Sequence, residues 1–175
     1  MSEKVKENLI SSKNSDYSLR MATSDDAQLI VTFMKKLGTF QKMEDAITAT
    51  PKRIKRLLDE KLGEAVFGIY KNKICSFIYF HQKSSAFSGR KGLYIDAFFI
   101  DECVRGKGLG KIMFQYLAKY SIDKGCEYLE WACLDWNNKA MKFYEKQGAY
   151  CVDNLKLYRL SSDDLSFNAK DFTQN

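Results

Sequence analysis

The spacing of apolar residues follows two periods along the chain, and it predicts helices interleaved with strands. Alternating or continuous apolar runs predict six strands, at 17–22, 65–70, 74–80, 93–100, 128–134 and 154–160. Helical spacing predicts four helices, at 24–37, 51–62, 109–124 and 137–147. Glycines follow three of these helices and are expected to end them: Gly38, Gly125 and Gly148.

The order of these elements indicates the fold class. The strands at 65–70 and 74–80 are separated by a short polar turn, which is typical of a β-hairpin. An antiparallel hairpin argues against a purely parallel, doubly wound sheet. We therefore expect an α/β (α+β) domain with one mixed central sheet at 17–161, preceded by a disordered leader at 1–16 and followed by a tail at 162–175 that has no clear period.

Composition and charge exclude several classes of protein. A chain of 175 residues with 45% hydrophobic residues and 24 aromatic side chains can bury a core as a single globular domain. The net charge is 28 − 22 = +6, but the basic residues are spread along the chain, which argues against a nucleic-acid-binding module. No transmembrane run and no secretory signal are visible, so we expect a cytoplasmic protein that does not bind a membrane.

The cysteine and histidine content narrows the possible chemistry. The five cysteines form no CxxC pair, and His81 is the single histidine, so the sequence contains no zinc site of the usual spacing. Reduced thiols and no bound metal are the simplest interpretation. A Ser-His-Asp or Cys-His enzyme would depend on His81, which falls at the end of a predicted strand.

A glycine-rich loop between the strand 93–100 and the helix 109–124 is the first candidate for chemistry. Its residues are Arg105, Gly106, Lys107, Gly108, Leu109 and Gly110, followed by Lys111. Alternate glycines let the backbone approach a ligand, and a helix start supplies N–H groups, so the loop suits a phosphate. The spacing matches neither a P-loop nor the dinucleotide fingerprint. Arg105, Lys107 and Lys111 would add mobile positive charge to such a site. A glycine-rich turn with solvated lysines is the alternative.

A second element follows the strand 128–134, and the two together resemble a known family. This element reads Asn137-x-x-Ala140-x-x-Phe143-Tyr144-x-x-x-Gly148-Ala149. Its combination with R-x-x-G-x-G at 105–110 resembles the GNAT superfamily of N-acetyltransferases over roughly 17–161. The resemblance implies the GNAT fold, a mostly antiparallel sheet flanked by about four helices, and acetyl-CoA as the acetyl donor.

The resemblance also implies which residues bind acetyl-CoA. The loop 105–110 with Lys111 would hold the pyrophosphate, and the backbone of Phe98, Phe99 and Ile100 would line the pantetheine arm where a bulge or splay exposes it. Asn137 and Ala140 would complete the cofactor site. The alternatives are that the two phenylalanine side chains belong to the core and that Asn137 caps its own helix.

The acceptor side resembles the diamine (spermidine/spermine) acetyltransferase branch. That branch carries two consecutive acids in the strand that corresponds to 93–100, and this chain has Asp96 followed by Ala97. Its early loop carries a Tyr-Glu pair, for which the best local match is Phe40-Gln41, in the polar loop that we expect after Gly38. With two acids replaced, we expect a preference for amines shorter than long polyamines. Glu130 is a further candidate for binding the acceptor.

Two residues are the candidates for catalysis. By the resemblance, Tyr144 protonates the departing CoA thiolate, and the alternative is an aromatic residue of the core. Asp96 would recognise the amine and, through water or a raised pKa, help to remove its proton. The alternative for Asp96 is a strand carboxylate paired with a Lys or Arg.

These observations predict an enzyme that transfers an acetyl group from acetyl-CoA to a primary amine of a small diamine, polyamine or amino-acid-like molecule. The alternative is a catalytically silent GNAT-fold protein that binds CoA or a partner. The resemblance to the diamine branch also implies a homodimer.

Overall fold

The computed structural model describes residues 9–170 and residue 172. Six strands occur in this part of the chain: β1 (Ile10–Ser11), β2 (Tyr17–Met21), β3 (Glu64–Tyr70), β4 (Lys73–Ser85), β5 (Arg90–Ile100) and β6 (Tyr128–Trp131). Five α-helices occur with them: α1 (Ala27–Gln41), α2 (Pro51–Asp59), α3 (Leu109–Asp123), α4 (Asn138–Glu145) and α5 (Ser162–Lys170).

The six strands form one sheet in the order β1-β2-β3-β4-β5-β6. The first five pair antiparallel, and β6 runs parallel to β5. The prediction of one mixed, mostly antiparallel sheet is therefore confirmed. The described residues hold one helix more than the four predicted, because α5 lies in the tail, where the sequence shows no clear period. None of the described helices combines the length and the apolar character that crossing a membrane requires.

The predicted hairpin forms between β3 and β4. Lys71 and Asn72 occupy its two central positions with φ of 46° and 63°. Two consecutive residues at positive φ give the backbone twist that matches a two-residue hairpin, and Asn tolerates this region better than most residues. Tyr70 pairs with Lys73 directly beside the turn, and the register of the two strands then shifts between Ile69 and Gly68.

One face of the sheet is covered by α1 and α2. Phe33 of α1 lies at the centre of this layer, and its ring centroid is 6.0 Å from that of Phe67, 5.3 Å from that of Phe77 and 6.3 Å from that of Phe99. The predicted helical stripe therefore points into the core. The α3 helix buries a stripe of its own, and its Tyr120 ring lies 5.5 Å from Phe80 of β4. The buried side chains of the α3 stripe include Leu109, Met113 and Leu117.

The first helix continues past the glycine that was expected to end it. Gly38 lies inside α1, where a Cβ would come within 2.7 Å of Ile47. The glycine therefore makes room for a neighbouring side chain. The helix ends instead at Lys42, which has a left-handed conformation with φ of 56°. As a result Phe40 and Gln41 lie in the last turn of α1, and the prediction that they belong to a loop is wrong.

The two ends of the chain also differ from the prediction. Residues 1–8 of the predicted leader lie outside the described residues, while Ile10–Ser11 form β1 and pair with β2, so regular structure begins before Tyr17. The segment 154–160 forms no strand. Its alternation would stabilise a strand only beside a hydrogen-bonding neighbour, and its apolar side chains are exposed: Leu155, Leu157, Tyr158 and Leu160.

The chain divides between Ala132 and Cys133 into two compact units. The first contains the whole sheet with α1, α2 and α3. The second contains α4 and α5 and has no strand among its described residues. Strand β6 ends at Trp131, so the predicted strand at 128–134 is shorter than expected.

We expect Gly68→Ala to destabilise the protein by about 1–3 kcal/mol, the usual cost of overpacking a filled core. The Tyr17 hydroxyl is 2.7 Å from the Ser76 Oγ in this buried region. A Cβ on Gly68 would lie 1.8 Å from the former and 2.2 Å from the latter. Denaturant unfolding of the purified variant measures the loss.

The matched control is Gly110→Ala, whose Cβ would lie 2.9 Å from the flexible end of Ile100 and at an ordinary contact distance of 3.8 Å from Phe98. It should change the free energy of unfolding by no more than about 1 kcal/mol. Equal losses in the two variants would contradict the expected clash at Gly68.

Candidate active site

A bulge interrupts β5 at Asp96. On the β4 side, Tyr79 pairs with Ala97 and the next residue, Phe80, pairs with Ile95, so Asp96 has no opposite residue. On the β6 side, pairing ends at Ile95 with Trp131. From Asp96 to Ile100 no strand of the described residues flanks β5 on that side. The bulge and the end of pairing together leave this edge of β5 without a partner strand beyond Ile95.

The three residues predicted to line the cofactor arm follow the bulge. Phe99 is buried in the layer beneath α1, so its side chain is part of the core. Phe98 and Ile100 are half-buried and lie near the first turn of α3, where both approach the position of a Cβ on Gly110. Their side chains therefore pack within the protein while the strand edge is open. Packing of these side chains within the protein is compatible with contact between their backbone and a cofactor, so the two interpretations of these residues do not exclude each other.

The glycines of the loop 105–110 have two different roles. Gly106 and Gly108 are exposed, with φ of 78° and 75°, and a Cβ on either would meet nothing within 4 Å. Both therefore adopt a backbone conformation that favours glycine, beside open space. Gly110 instead allows close contact between α3 and Ile100. Leu109 is buried and anchors the start of α3, where the first N–H groups have no partner within the helix.

The basic side chains of this loop are not equivalent. Arg105 is held in place: its Nε donates to the Ile100 carbonyl at 2.9 Å, and its guanidinium lies 4.5 Å from the centroid of the Phe40 ring. It also pairs with Glu102 at 3.2 Å. Lys107 and Lys111 are exposed. Arg105 is therefore not the mobile charge that the sequence predicted, and for the two lysines mobility stays a prediction.

Phe40 also lines a groove of about 510 Å³ between α1 and the end of β5. Its lining residues are Lys36, Thr39, Phe40, Phe99, Asp101, Glu102 and Cys103. Lys36 and Asp101 form an ion pair of 2.8 Å within this lining. The groove places aromatic and charged side chains directly beside the open end of β5.

Asp96 is exposed at the bulge and forms no ion pair or hydrogen bond with the described residues. The alternative of a strand carboxylate paired with a Lys or Arg therefore does not apply. The Tyr79 hydroxyl is buried without a hydrogen-bond partner in the described part of the chain. Burial raises the pKa of this hydroxyl, and the charge of Asp96 raises it further. Asp96 therefore presents its charge to solvent and to one buried phenol.

Glu130 has a partner that the sequence did not reveal. Its carboxylate accepts a hydrogen bond from the Lys83 ammonium, and this bond raises the pKa of Lys83. Glu130 lies on β6 and Lys83 on β4, with β5 between them. Strand alternation alone could have placed Lys83 on this face, but not its partner two strands away. The negative charge of Glu130 is thus balanced within the sheet.

The second unit holds the remaining candidates. The Asn137 Oδ1 accepts a hydrogen bond from the Ala140 N–H at 3.2 Å, so Asn137 caps α4, as one of its two interpretations predicted. Tyr144 lies on α4 and is half-buried, with its ring centroid 5.4 Å from that of Phe143. Burial raises the pKa of the Tyr144 hydroxyl, and the charge of Cys133 adds to this effect.

Potential metal ligands are scattered. Within residues 9–170 and 172, no three His, Cys, Asp or Glu side chains are grouped so that they could hold a metal ion. His81 packs against Tyr94, with ring centroids 5.4 Å apart. The loop 105–110 and the open edge of β5 are therefore the features from which the chemistry of the first unit can be argued.

Comparison with known proteins gives consistent results. Over 110 residues the chain is 33% identical to an L-ornithine N5-acetyltransferase of Arabidopsis thaliana, a match that covers 63% of this chain but 45% of the plant protein, so the chain spans less than half of that relative. It is 25% identical over 130 residues to a thialysine N-epsilon-acetyltransferase of Caenorhabditis elegans, which covers 74% of this chain and 81% of the nematode protein.

Solved structures share the fold at low sequence identity. An integron cassette protein from the mobile metagenome of V. cholerae superposes with a TM-score of 0.72 at 20% identity, covering 90% of this chain and 100% of its own. The model of the acetyltransferase (GNAT) family matches residues 33–149, which is more than half of the chain. On this match, the resemblance drawn from the two sequence motifs is confirmed: the chain belongs to the GNAT family of acetyltransferases.

Proposed function

We propose that this protein transfers an acetyl group from acetyl-CoA to a primary amine of a small molecule. The observation that carries the proposal is the open edge of β5 beyond the Asp96 bulge, directly followed by the glycine loop at the start of α3. Members of the family use acetyl-CoA, which supplies an activated acetyl group as a thioester. The backbone groups needed to hold such a donor lie along one continuous stretch of chain.

The loop fits the anionic part of the donor. Gly106 and Gly108 leave open the space that side chains would fill, and the start of α3 offers N–H groups with a partial positive charge. We assign pyrophosphate binding to this loop, with Lys107 and Lys111 adding positive charge. The open edge of Phe98 and Phe99 would bind the amide groups of the pantetheine arm.

Asp96 is the acceptor-binding group in this proposal. Its exposed carboxylate attracts an ammonium group and orients the nitrogen after the proton has left. A carboxylate is a much weaker base than an amine, so Asp96 does not take the proton in this proposal; the nucleophile is the small neutral fraction of the amine, which exchanges its proton with hydroxide or buffer in the bulk solvent. The Tyr79 hydroxyl, whose pKa is raised by burial, stays protonated and does not compete as a base.

Tyr144 is the proposed proton donor to the departing thiolate, a role that comes from the family resemblance. Burial raises the pKa of its hydroxyl, so the phenol stays protonated at neutral pH, as a proton donor must, and is a weaker acid than a phenol in water. Homodimeric assembly and a cytoplasmic location stay predictions of the sequence.

The acceptor should be a short or zwitterionic amine rather than a long polyamine. Gln41 and Ala97 stand where the diamine branch carries acids, and Glu130 is already paired with Lys83. Each missing carboxylate removes a charge-assisted contact with a polycation. In a CoA-release assay, kcat/KM for diamines and amino-acid-like amines should equal or exceed that for spermine.

A large preference for spermine in this panel would contradict the acceptor assignment. If the folded protein binds acetyl-CoA but releases no CoA with any amine, it is instead a catalytically silent member of its family.

Gly108→Asn should weaken acetyl-CoA binding at least about tenfold, equivalent to about 1.4 kcal/mol. Asn tolerates the positive φ of Gly108, so the fold should persist while its side chain occupies the phosphate space. Calorimetric titration with acetyl-CoA measures the affinity. The matched control is Gly89→Asn, at a φ of 66° and also in open space, which should bind normally. Equal affinities for the two variants would place the pyrophosphate elsewhere.

Tyr144→Phe should lower kcat by roughly 10²–10⁴, the range for a positioned proton donor, with little change in acetyl-CoA affinity. The ring and its packing remain, and only the hydroxyl is lost. Steady-state rates at saturating acetyl-CoA test this, and a thermal melt confirms folding. Tyr150→Phe removes a hydroxyl from an exposed tyrosine of the same unit and should leave kcat unchanged. A near-native kcat for Tyr144→Phe would assign protonation of the thiolate to water or another residue.

A further inference from the structure

The turn between β3 and β4 lies beside the glycine loop, far from it in sequence. The Lys107 ammonium of the loop is 5.9 Å from the centroid of the Tyr70 ring, at the end of β3. The Asp101 N–H, just after β5, donates to the Cys75 carbonyl of β4 at 2.8 Å. Because β4 and β5 are antiparallel, the start of β4 and the end of β5 lie together. The turn and the loop therefore share one end of the sheet.

Three lysine side chains gather around the Tyr70 ring. The Lys71 ammonium lies 5.6 Å from its centroid, a separation at which a cation is attracted to the ring face, as is that of Lys107. Lys73 is directly opposite Tyr70 in the pairing of β3 with β4, so their Cβ atoms are about 5 Å apart on the same face. We call Tyr70, Lys71, Lys73 and Lys107 the turn patch.

The turn patch contains more positive charge than its neighbours balance. Lys71 pairs with Asp16 at 3.8 Å, and the two side chains are 64% and 53% exposed. An exposed pair of this kind contributes little stability, so a ligand anion can replace the carboxylate. Lys73 and Lys107 are exposed and form no ion pair with any residue in the described part of the chain. The turn patch therefore presents unbalanced positive charge next to the glycine loop.

Lys107 connects the turn patch with the backbone of the loop. It lies between Gly106 and Gly108, where the backbone has positive φ and borders on open space. Its ammonium, in contrast, lies at the turn. The loop thus offers peptide N–H groups to one phosphate and a lysine side chain to a second anion beside it. A ligand that carries two separate phosphate groups matches this arrangement.

We propose that the turn patch binds the 3′-phosphate of CoA, so that the protein selects CoA-based donors over donors that lack this group. This inference rests on the proposed acetyltransferase function and adds the residues that recognise the adenosine end of the donor. CoA carries its pyrophosphate and its 3′-phosphate on the same ribose unit, at two different positions. A phosphate monoester has a charge of about −1.5 to −2 at neutral pH, and lysine binds phosphate as a point charge.

The 3′-phosphate separates the role of the turn patch from that of the glycines. CoA and 3′-dephospho-CoA share the pyrophosphate and the pantetheine arm and differ in this one group. A change that disturbs the loop itself weakens both ligands, whereas loss of a lysine of the turn weakens CoA alone. The ratio of the two affinities therefore measures the turn patch.

The test determines the affinities of CoA and 3′-dephospho-CoA by calorimetric titration. The wild-type protein should bind CoA at least about tenfold more tightly, the size of one charge-assisted hydrogen bond. Lys71→Asn and Lys73→Gln should each lower this ratio about threefold, and the double variant should bring it close to one. The affinity for 3′-dephospho-CoA should stay unchanged. An ionic strength of about 1 M should also lower the wild-type ratio, because it screens exposed charges beyond about 3 Å.

The matched control is Lys61→Asn. Lys61 and Lys71 are both exposed and have positive φ, of 55° and 46°, a conformation that Asn tolerates, so both variants should fold. Lys61 precedes β3, whereas Lys71 follows it, so the control removes a lysine from the opposite end of the strand. It should leave the affinity ratio unchanged.

Two results would overturn the inference and leave the proposed function standing: equal wild-type affinities for the two ligands, or a folded double variant that retains the full preference for CoA. If the folded wild-type protein binds neither ligand, the proposed function fails, and the inference fails with it.

Discussion

The candidate site depends on one irregularity of the sheet. At Asp96, β5 has one residue more than the facing part of β4, and its pairing with β6 has just ended, at Ile95. Inside a β-sheet, the peptide N–H and C=O groups of a strand normally form hydrogen bonds with the two neighbouring strands. Here β5 leaves one edge without a partner strand beyond Ile95. Asp96 is exposed at the same bulge, so a single irregularity produces both of the features on which the proposed donor and acceptor sites rest.

The features predicted correctly from the sequence are those encoded over short distances. The hairpin at Lys71 and Asn72, the amphipathic stripes of α1 and α3, and the loop 105–110 each depend on neighbours within one or two turns of the chain. Their periods and turn residues are visible without the fold. For the same reason the capping role of Asn137 could be stated in advance as one of two possibilities.

The features that were missed are set by contacts between distant parts of the chain. Glycine is typical of the end of a helix, but Ile47 packs against the backbone of Gly38 and the helix continues past it. Lys83 and Glu130 are 47 residues apart in sequence, and only the strand order brings them together. The segment 154–160 shows the opposite case, since a local strand pattern forms no strand without a neighbour. In each case a distant partner, or its absence, overrides the local preference.

Arg105 fixes the position of the glycine loop in addition to carrying positive charge. Its Nε donates a hydrogen bond to the Ile100 carbonyl at the end of β5, and its guanidinium packs on the Phe40 ring in the last turn of α1. The loop proposed to hold the donor is thereby fixed against α1, beside the groove that Phe40 lines. Transfer between two bound molecules is fast only when their reacting atoms are held at a fixed separation. In the proposed enzyme, Arg105 would hold the donor loop at a fixed distance from the last turn of α1.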